Sequence, residues 1–158
     1  MEKGERLGYS PGYQQEQRTR MAVKSKPRIL IFASEMAYRA ADQTGLAHKE
    51  YPVTTYIVRI PCSSMIRPEL VYHALEKGFD GVFIASSGDD CPFMGEKCIE
   101  KTSKASDDAQ AYLKERGIEV QRVKSGGICS SCMDALVKQI KDFDETLSSL
   151  GPLKGVIE

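Results

Sequence analysis

Short apolar runs alternate with longer amphipathic stretches from residue 27 onward, and this alternation organises the whole chain. Arg28–Ala33 (RILIFA) is a continuous apolar run of the kind expected for a strand buried on both faces. Val53–Ile60 (VTTYIVRI), Gly81–Ser86 (GVFIAS) and Ile118–Val123 (IEVQRV) repeat the theme, the last polar enough to suit an edge strand. Between them the apolar spacing turns helical. Tyr38–His48 is the first helix. The second opens at Pro68, where a missing N–H costs nothing, and stops at Gly78, with Leu70, Val71, Ala74 and Leu75 as its apolar face. The third spans about Gly95 to Arg116, ended by Gly117. The fourth begins near Ser130, repeats Met133, Leu136, Val137, Ile140, Phe143 and Leu147, and stops before Gly151-Pro152.

Strand and helix therefore alternate through four rounds. With right-handed crossovers this predicts a single flavodoxin-like, doubly wound α/β domain whose four parallel strands run in the order 2-1-3-4. The expected boundaries are an extended, polar N-terminal arm over 1–26, the α/β domain over 27–150, and a C-terminal tail over 151–158. The arm carries Arg18, Arg20, Lys24 and Lys26 without helical spacing, so it is expected to pack on a partner protein rather than on itself.

Composition narrows the class. Lysines and arginines number 22 against 22 aspartates and glutamates and are mixed along the sequence, which leaves no basic stripe for nucleic acid. No stretch approaches the ~20 apolar residues of a bilayer span, and the start has no apolar export segment, so the chain reads as soluble and cytoplasmic. Its cysteine count is odd, at 5, which argues against a secreted disulfide framework and for reduced thiols.

Those cysteines, Cys62, Cys91, Cys98, Cys129 and Cys132, each follow a strand or enter the next helix. In a parallel sheet such positions converge on the carboxyl ends of the strands, where these folds place their ligands. Core packing has no reason to prefer such junctions, so the arrangement points to a soft-metal or iron–sulfur site. Neighbouring small residues, among them Ser63, Ser64, Ser86, Ser87, Gly126 and Gly127, give backbone amides room to approach sulfur. Cys129-Ser-Ser-Cys132 suits one iron of a cluster, half a zinc site or a redox dithiol. A thioredoxin-type enzyme would carry the pair on its first helix, and zinc normally completes domains lacking a core.

Other motifs carry less. Cys62 to Arg67 resembles a phosphatase loop, but the arginine arrives one residue early. Ser125-Gly126-Gly127 lacks the lysine and spacing of a P-loop. His48 and His73 read as solvated surface residues, Asp89 and Asp90 as turn or helix caps, and Lys101–Asp108 as a solvated helix face. No set of nucleophile, base and orienting group is readable, so no substrate chemistry is expected on this chain.

An ordered set of motifs carries a family resemblance: Phe32 and a small-residue turn before Tyr38-Arg-Ala-Ala-Asp42, Tyr51-Pro52, Arg59-Ile-Pro-Cys62-Ser63 with Pro68-Glu69, Ala74-Leu-Glu-Lys-Gly78, Asp80-Gly-Val82, Asp90-Cys91-Pro-Phe93 with Gly95, then Leu113, Gly117-Ile118-Glu119 and Arg122. From Pro27 to about Pro152 the chain resembles the delta (iron–sulfur) subunit of methyl-viologen-reducing hydrogenase. The resemblance implies a non-catalytic electron-transfer subunit with a 2Fe–2S cluster, relaying electrons between a hydrogenase or dehydrogenase and a flavin-containing subunit of a heterodisulfide-reductase-type complex. Cys62 and Cys91 match family cysteines. The family's cysteine-bearing turn after strand one is here Ala33-Ser34-Glu35-Met36-Ala37, and another family cysteine is replaced by Ser86. The expectation is a site rebuilt from Cys62, Cys91, Cys129 and Cys132, with Cys98 in reserve. A 4Fe–4S cluster or zinc stands behind 2Fe–2S, and a non-redox structural adaptor is the alternative reading.

Overall fold

The structure, a computed structural model, describes residues 26–153; all but the last residue of the expected arm and most of the expected tail lie outside the described residues. Four strands, β1 (Ile29–Ala33), β2 (Thr55–Arg59), β3 (Gly81–Ser87) and β4 (Val123–Ile128), form one sheet. Every pairing is parallel and the order is β2-β1-β3-β4, as the alternation predicts. Four α-helices connect and follow the strands: α1 (Glu35–Leu46), α2 (Pro68–Glu76), α3 (Lys97–Lys114) and α4 (Met133–Leu150).

Successive residues of a strand point to opposite faces, so β1 and β3 feed two cores at once. Ile29, Ile31, Phe83 and Ala85 meet α1 and α4 through Ala37, Ala40, Leu136, Ile140, Phe143 and Leu147. Leu30, Phe32, Val82 and Ile84 meet α2 and α3 through Val71, Ala74, Leu75, Ala109 and Leu113. This double burial explains why both strands read as unbroken apolar runs. Leu70, assigned to the buried face of α2, is instead 43% exposed. Gly78 and Gly117 follow their helices with φ of 89° and 71°, the left-handed conformation that ends a helix and that a glycine adopts without penalty.

β4 is displaced from its expected position. Ile118–Val123 contains a 3-10 turn, Val120–Arg122, and the strand begins only at Val123. Its residues Ser125-Gly126-Gly127 have poor strand propensity, and pairing with β3 overrides it, Ala85 opposite Gly126 and Ser86 opposite Gly127. The small side chains here, expected to give amides room around a metal centre, also make room for the flanking helices: a Cβ on Gly127 would stand 3.1 Å from Ile99 of α3, and one on Gly126 would strike Gln139 of α4.

One of the polar residues that give Ile118–Val123 its edge-strand look is a buried arginine. Arg122 is fully enclosed; its guanidinium donates to Glu119 Oε2 at 2.8 Å and to the carbonyls of Asp80 and Gly151, each at 3.0 Å. It ties the start of β3, the end of α4 and the approach to β4 at the amino edge of the sheet.

Candidate metal centre

All the cysteines lie at the opposite, carboxyl edge. Cys62 follows β2 and precedes a 3-10 turn, Ser63–Met65, anchored by buried hydroxyls: Ser63 Oγ lies 2.6 Å from Thr102 Oγ1 on α3 and 3.9 Å from Cys98 Sγ. Thr102 in turn donates to the carbonyl of Cys98 at 2.8 Å. Cys62 Sγ, half-buried, lies 3.0 Å from Ser64 Oγ.

After β3 the chain makes a compact turn in which Cys91 N–H donates to Gly88 O at 3.2 Å and Gly95 N–H to Cys91 O at 3.0 Å. The turn brings Cys91 near Cys98, in the first turn of α3, so that each thiol affects the ionisation of the other. Burial opposes ionisation of Cys91, but hydrogen bonding to the backbone at Phe93, Met94 and Gly95 and to the Cys98 thiol outweighs it and lowers its pKa below the ordinary thiol value. Cys98 behaves in the opposite sense. Burial first, then the hydrogen bond it gives Cys91, push its pKa up, and the nearby Cys91 and Cys62 sulfurs add to the rise. Cys62, Cys91 and Cys98 thus form one neighbourhood: a thiol whose ionisation its turn favours, a second whose ionisation burial opposes, and a third sulfur close enough to be felt electrostatically.

Cys129 and Cys132 form a separate pair, joined as a disulfide with their Cα atoms 5.1 Å apart. Cys132 caps the start of α4 and packs against the core, while Cys129 lies on the turn before it. The turn adjoins the Cys91 loop. Asp90 Oδ2 accepts the Ser130 N–H at 2.9 Å, the turn-capping role expected of it, and Gly88 lies so close that an added Cβ would stand 3.2 Å from Cys129 N. The expected ligands therefore share one edge but fall into two groups. Among the described residues, no three His, Cys, Asp or Glu side chains are arranged to hold a metal ion.

Where the sequence lacks the thiols that its resemblance leads one to expect, polar contacts close the structure. Ser34 Oγ and Ser87 Oγ are buried and 2.9 Å apart, Ser86 Oγ donates to Gly126 O at 3.3 Å, and Glu35 takes Arg59 at 2.6 Å. His48 and His73 lie at the surface, in keeping with their reading as solvated residues. The amide cradle of Cys91 and its pairing with Cys98 escape a reading of the sequence; the signal available was Pro92 and Gly95, turn formers inside the interval between two cysteines, Cys91–Cys98.

Residues 29–151 match the family described as methyl-viologen-reducing hydrogenase, delta subunit. The chain belongs to this family. Among similar proteins is an iron-sulfur subunit of F420-non-reducing hydrogenase from Archaeoglobus profundus, 32% identical over 136 residues that cover 85% of this chain and 98% of that one. The vhu iron-sulfur subunit of F420-non-reducing hydrogenase from Methanopyrus kandleri is 35% identical over 121 residues, 75% of this chain and 89% of that protein. A longer relative carries a similar stretch: a ferredoxin:CoB-CoM heterodisulfide reductase subunit from Methanosarcina mazei is 30% identical over 139 residues, 86% of this chain but 17% of that protein. In this delta-subunit chain, no described helix is long and apolar enough to cross a membrane.

Proposed function

We propose that this chain is an electron-transfer subunit of a hydrogenase or heterodisulfide-reductase complex, holding a cysteine-ligated 2Fe–2S cluster at the carboxyl edge of its sheet. The observation that carries the proposal is the gathering of five cysteines from separate elements at one edge of the sheet, where the Cys91 turn favours the thiolate. Amide donors to sulfur stabilise an anionic thiolate and are one of the means by which a protein sets a cluster's potential. The names of the relatives, iron-sulfur subunits of hydrogenases and a heterodisulfide reductase subunit, support the same role. The ligands we assign are Cys62, Cys91, Cys129 and Cys132, with Cys98 beside Cys91 as the alternate donor. When bound, the cluster supplies one-electron chemistry. The chain's own part is to present thiolates, exclude competing water with the buried Ser63–Thr102–Cys98 layer, and dock its partners.

Exposed apolar side chains at this edge support docking there. Met65 is 65% exposed and Phe93, within the Cys91 turn, 79% exposed. Large apolar groups flanking a polar site are a mark of a protein-binding surface. We assign the surface to a flavin-containing heterodisulfide-reductase-type subunit on one side and a hydrogenase or dehydrogenase subunit on the other. The 1–26 arm is assigned to a partner as well.

A rival reading, a structural adaptor without a cluster, draws on the thiol-free turn Ala33-Ser34-Glu35-Met36-Ala37 and on Ser86, where the resemblance places cysteines. Anaerobic purification followed by iron and acid-labile sulfide analysis separates the two. The electron-transfer reading expects about two irons and a matching amount of sulfide per chain. Zinc, or no metal, in protein never exposed to oxygen supports the adaptor.

A further inference from the structure

The bond between Cys129 and Cys132 sets these two sulfurs apart from Cys62, Cys91 and Cys98, which are free. Sulfurs bonded to each other cannot serve as thiolate ligands. Yet their turn is built into the loop that carries Cys91: Asp90 holds Ser130 N–H, Gly88 N–H donates to Ile128 O at 3.2 Å, and Gly88 O accepts Cys91 N–H. Released thiolates at positions 129 and 132 would stand beside the Cys91 loop. We propose that Cys129–Cys132 is a redox latch on the metal centre: closed as a disulfide it withholds two ligands, and opened by a dithiol it releases them to join Cys62 and Cys91. This inference rests on the iron–sulfur reading above and adds a control step to it.

The chemistry is complete with a dithiol as the named reductant. One thiolate of the dithiol attacks Cys129 Sγ, whose side chain lies in an exposed contact with Ser131 Oγ at 3.7 Å. The S–S bond breaks and Cys132 leaves as a thiolate at the amino end of the 18-residue helix α4, where the helix dipole stabilises negative charge. The second thiol of the reductant then loses its proton and displaces Cys129 from the mixed disulfide. The reductant ends as a disulfide, having given up two electrons and two protons, and the protein ends with two reduced cysteines. Closure by a disulfide oxidant is the reverse. Cys132, half-buried and packed against the core at the start of α4, is the better leaving group, which directs attack to Cys129.

The test loads one preparation of the full chain in two states. Apoprotein is either closed with a low-molecular-weight disulfide or opened with a dithiol. Both are freed of reagent without oxygen, and the bond is assigned by mass spectrometry of the tryptic peptide 125–138, which contains both cysteines. Each is then offered ferrous iron and sulfide, and separately cobalt(II), whose thiolate charge-transfer absorption reports ligation without any activity measurement. The latch predicts at least a tenfold excess of bound iron in the opened protein, a matching rise in cobalt–thiolate absorption, and full recovery when the closed protein is reduced.

Equal loading of the two states overturns the latch and removes Cys129 and Cys132 from the ligand set, while an iron–sulfur site on the remaining cysteines stands. Failure of both states to take up iron overturns the latch and that reading together. Cys132→Ser, which cannot form the bond, should remove the difference between oxidant-treated and dithiol-treated protein; a difference that persists in this variant would place the switch elsewhere and sink the proposal.

Discussion

The two ends of this sheet solve the problem of buried polar groups in opposite ways. At the amino edge, Arg122 is enclosed completely, and its charge is met by a carboxylate and two backbone carbonyls. That network joins segments distant in sequence and leaves nothing for a ligand. At the carboxyl edge, Cys91 is half-buried and receives amides from a single local turn. Its surroundings favour charge on the sulfur without neutralising it. The difference separates a polar group kept for architecture from one held ready for chemistry: the first ties the chain together, whereas the second is served by its immediate neighbours and can change without loss of the fold.

The comparison breaks most readily at the amino edge. Arg122→Ala should cost about 3–5 kcal/mol, because it empties a buried site and strands the Asp80 and Gly151 carbonyls. Urea unfolding measures this, and a loss below about 1 kcal/mol, no more than an exposed ion pair contributes, would remove the architectural role. Gly81→Ala at the same edge is next. A Cβ there would lie 2.6 Å from Leu147 Cδ1 and 2.8 Å from Phe143 Cζ, so overpacking of about 1–3 kcal/mol is expected by the same assay.

Cys91→Ser should sit well below both in stability, within about 1 kcal/mol, while removing most of the iron. Cys98→Ser should remove less iron; equal losses at the two positions would overturn the ligand assignment. In dithiol-reduced apoprotein the depressed pKa of Cys91 and the elevated pKa of Cys98 also set an order of reaction. As pH rises from mildly acidic values, the Cys91 thiolate appears first, so iodoacetamide should label Cys91 ahead of Cys98. Mass spectrometry showing Cys98 labelled first would invert the proposed thiolate–thiol pair.

The smallest effect belongs to Glu119. Its hydrogen bond from Arg122 holds the carboxyl below the usual glutamate range. Being depressed in the fold, this group contributes stability that is present above the unfolded glutamate pKa and is lost as pH falls through the folded one. Glu119→Gln should therefore flatten the acid limb of a stability–pH curve and leave the neutral region shifted by less than about 1 kcal/mol. An unchanged acid limb would show that Glu119 is not coupled to Arg122 in solution.

These features are unevenly visible in the amino-acid pattern. β1, β3 and their order in the sheet are legible because strands buried on both faces must be apolar throughout, and Gly78 and Gly117 mark helix ends by a conformation few other residues adopt. β4 is not, since Ser125-Gly126-Gly127 answers to the approach of Gln139 and Ile99, a tertiary demand that local propensity does not encode. Arg122 reads as one more polar residue of an exposed edge strand, although it is fully enclosed. The thiol edge follows from topology alone, whereas its division into Cys62–Cys91–Cys98 and Cys129–Cys132 depends on how the 88–97 turn folds back, which spacing does not fix.

The central claim, that the carboxyl edge holds a one-electron centre built on Cys91, is tested most directly by EPR of protein purified without oxygen and reduced with dithionite. The account predicts a rhombic half-integer-spin signal at low temperature that is absent from the oxidised protein and lost in Cys91→Ser. A silent spectrum from wild-type protein that is fully folded and never exposed to oxygen, or a signal undiminished in Cys91→Ser, would contradict it.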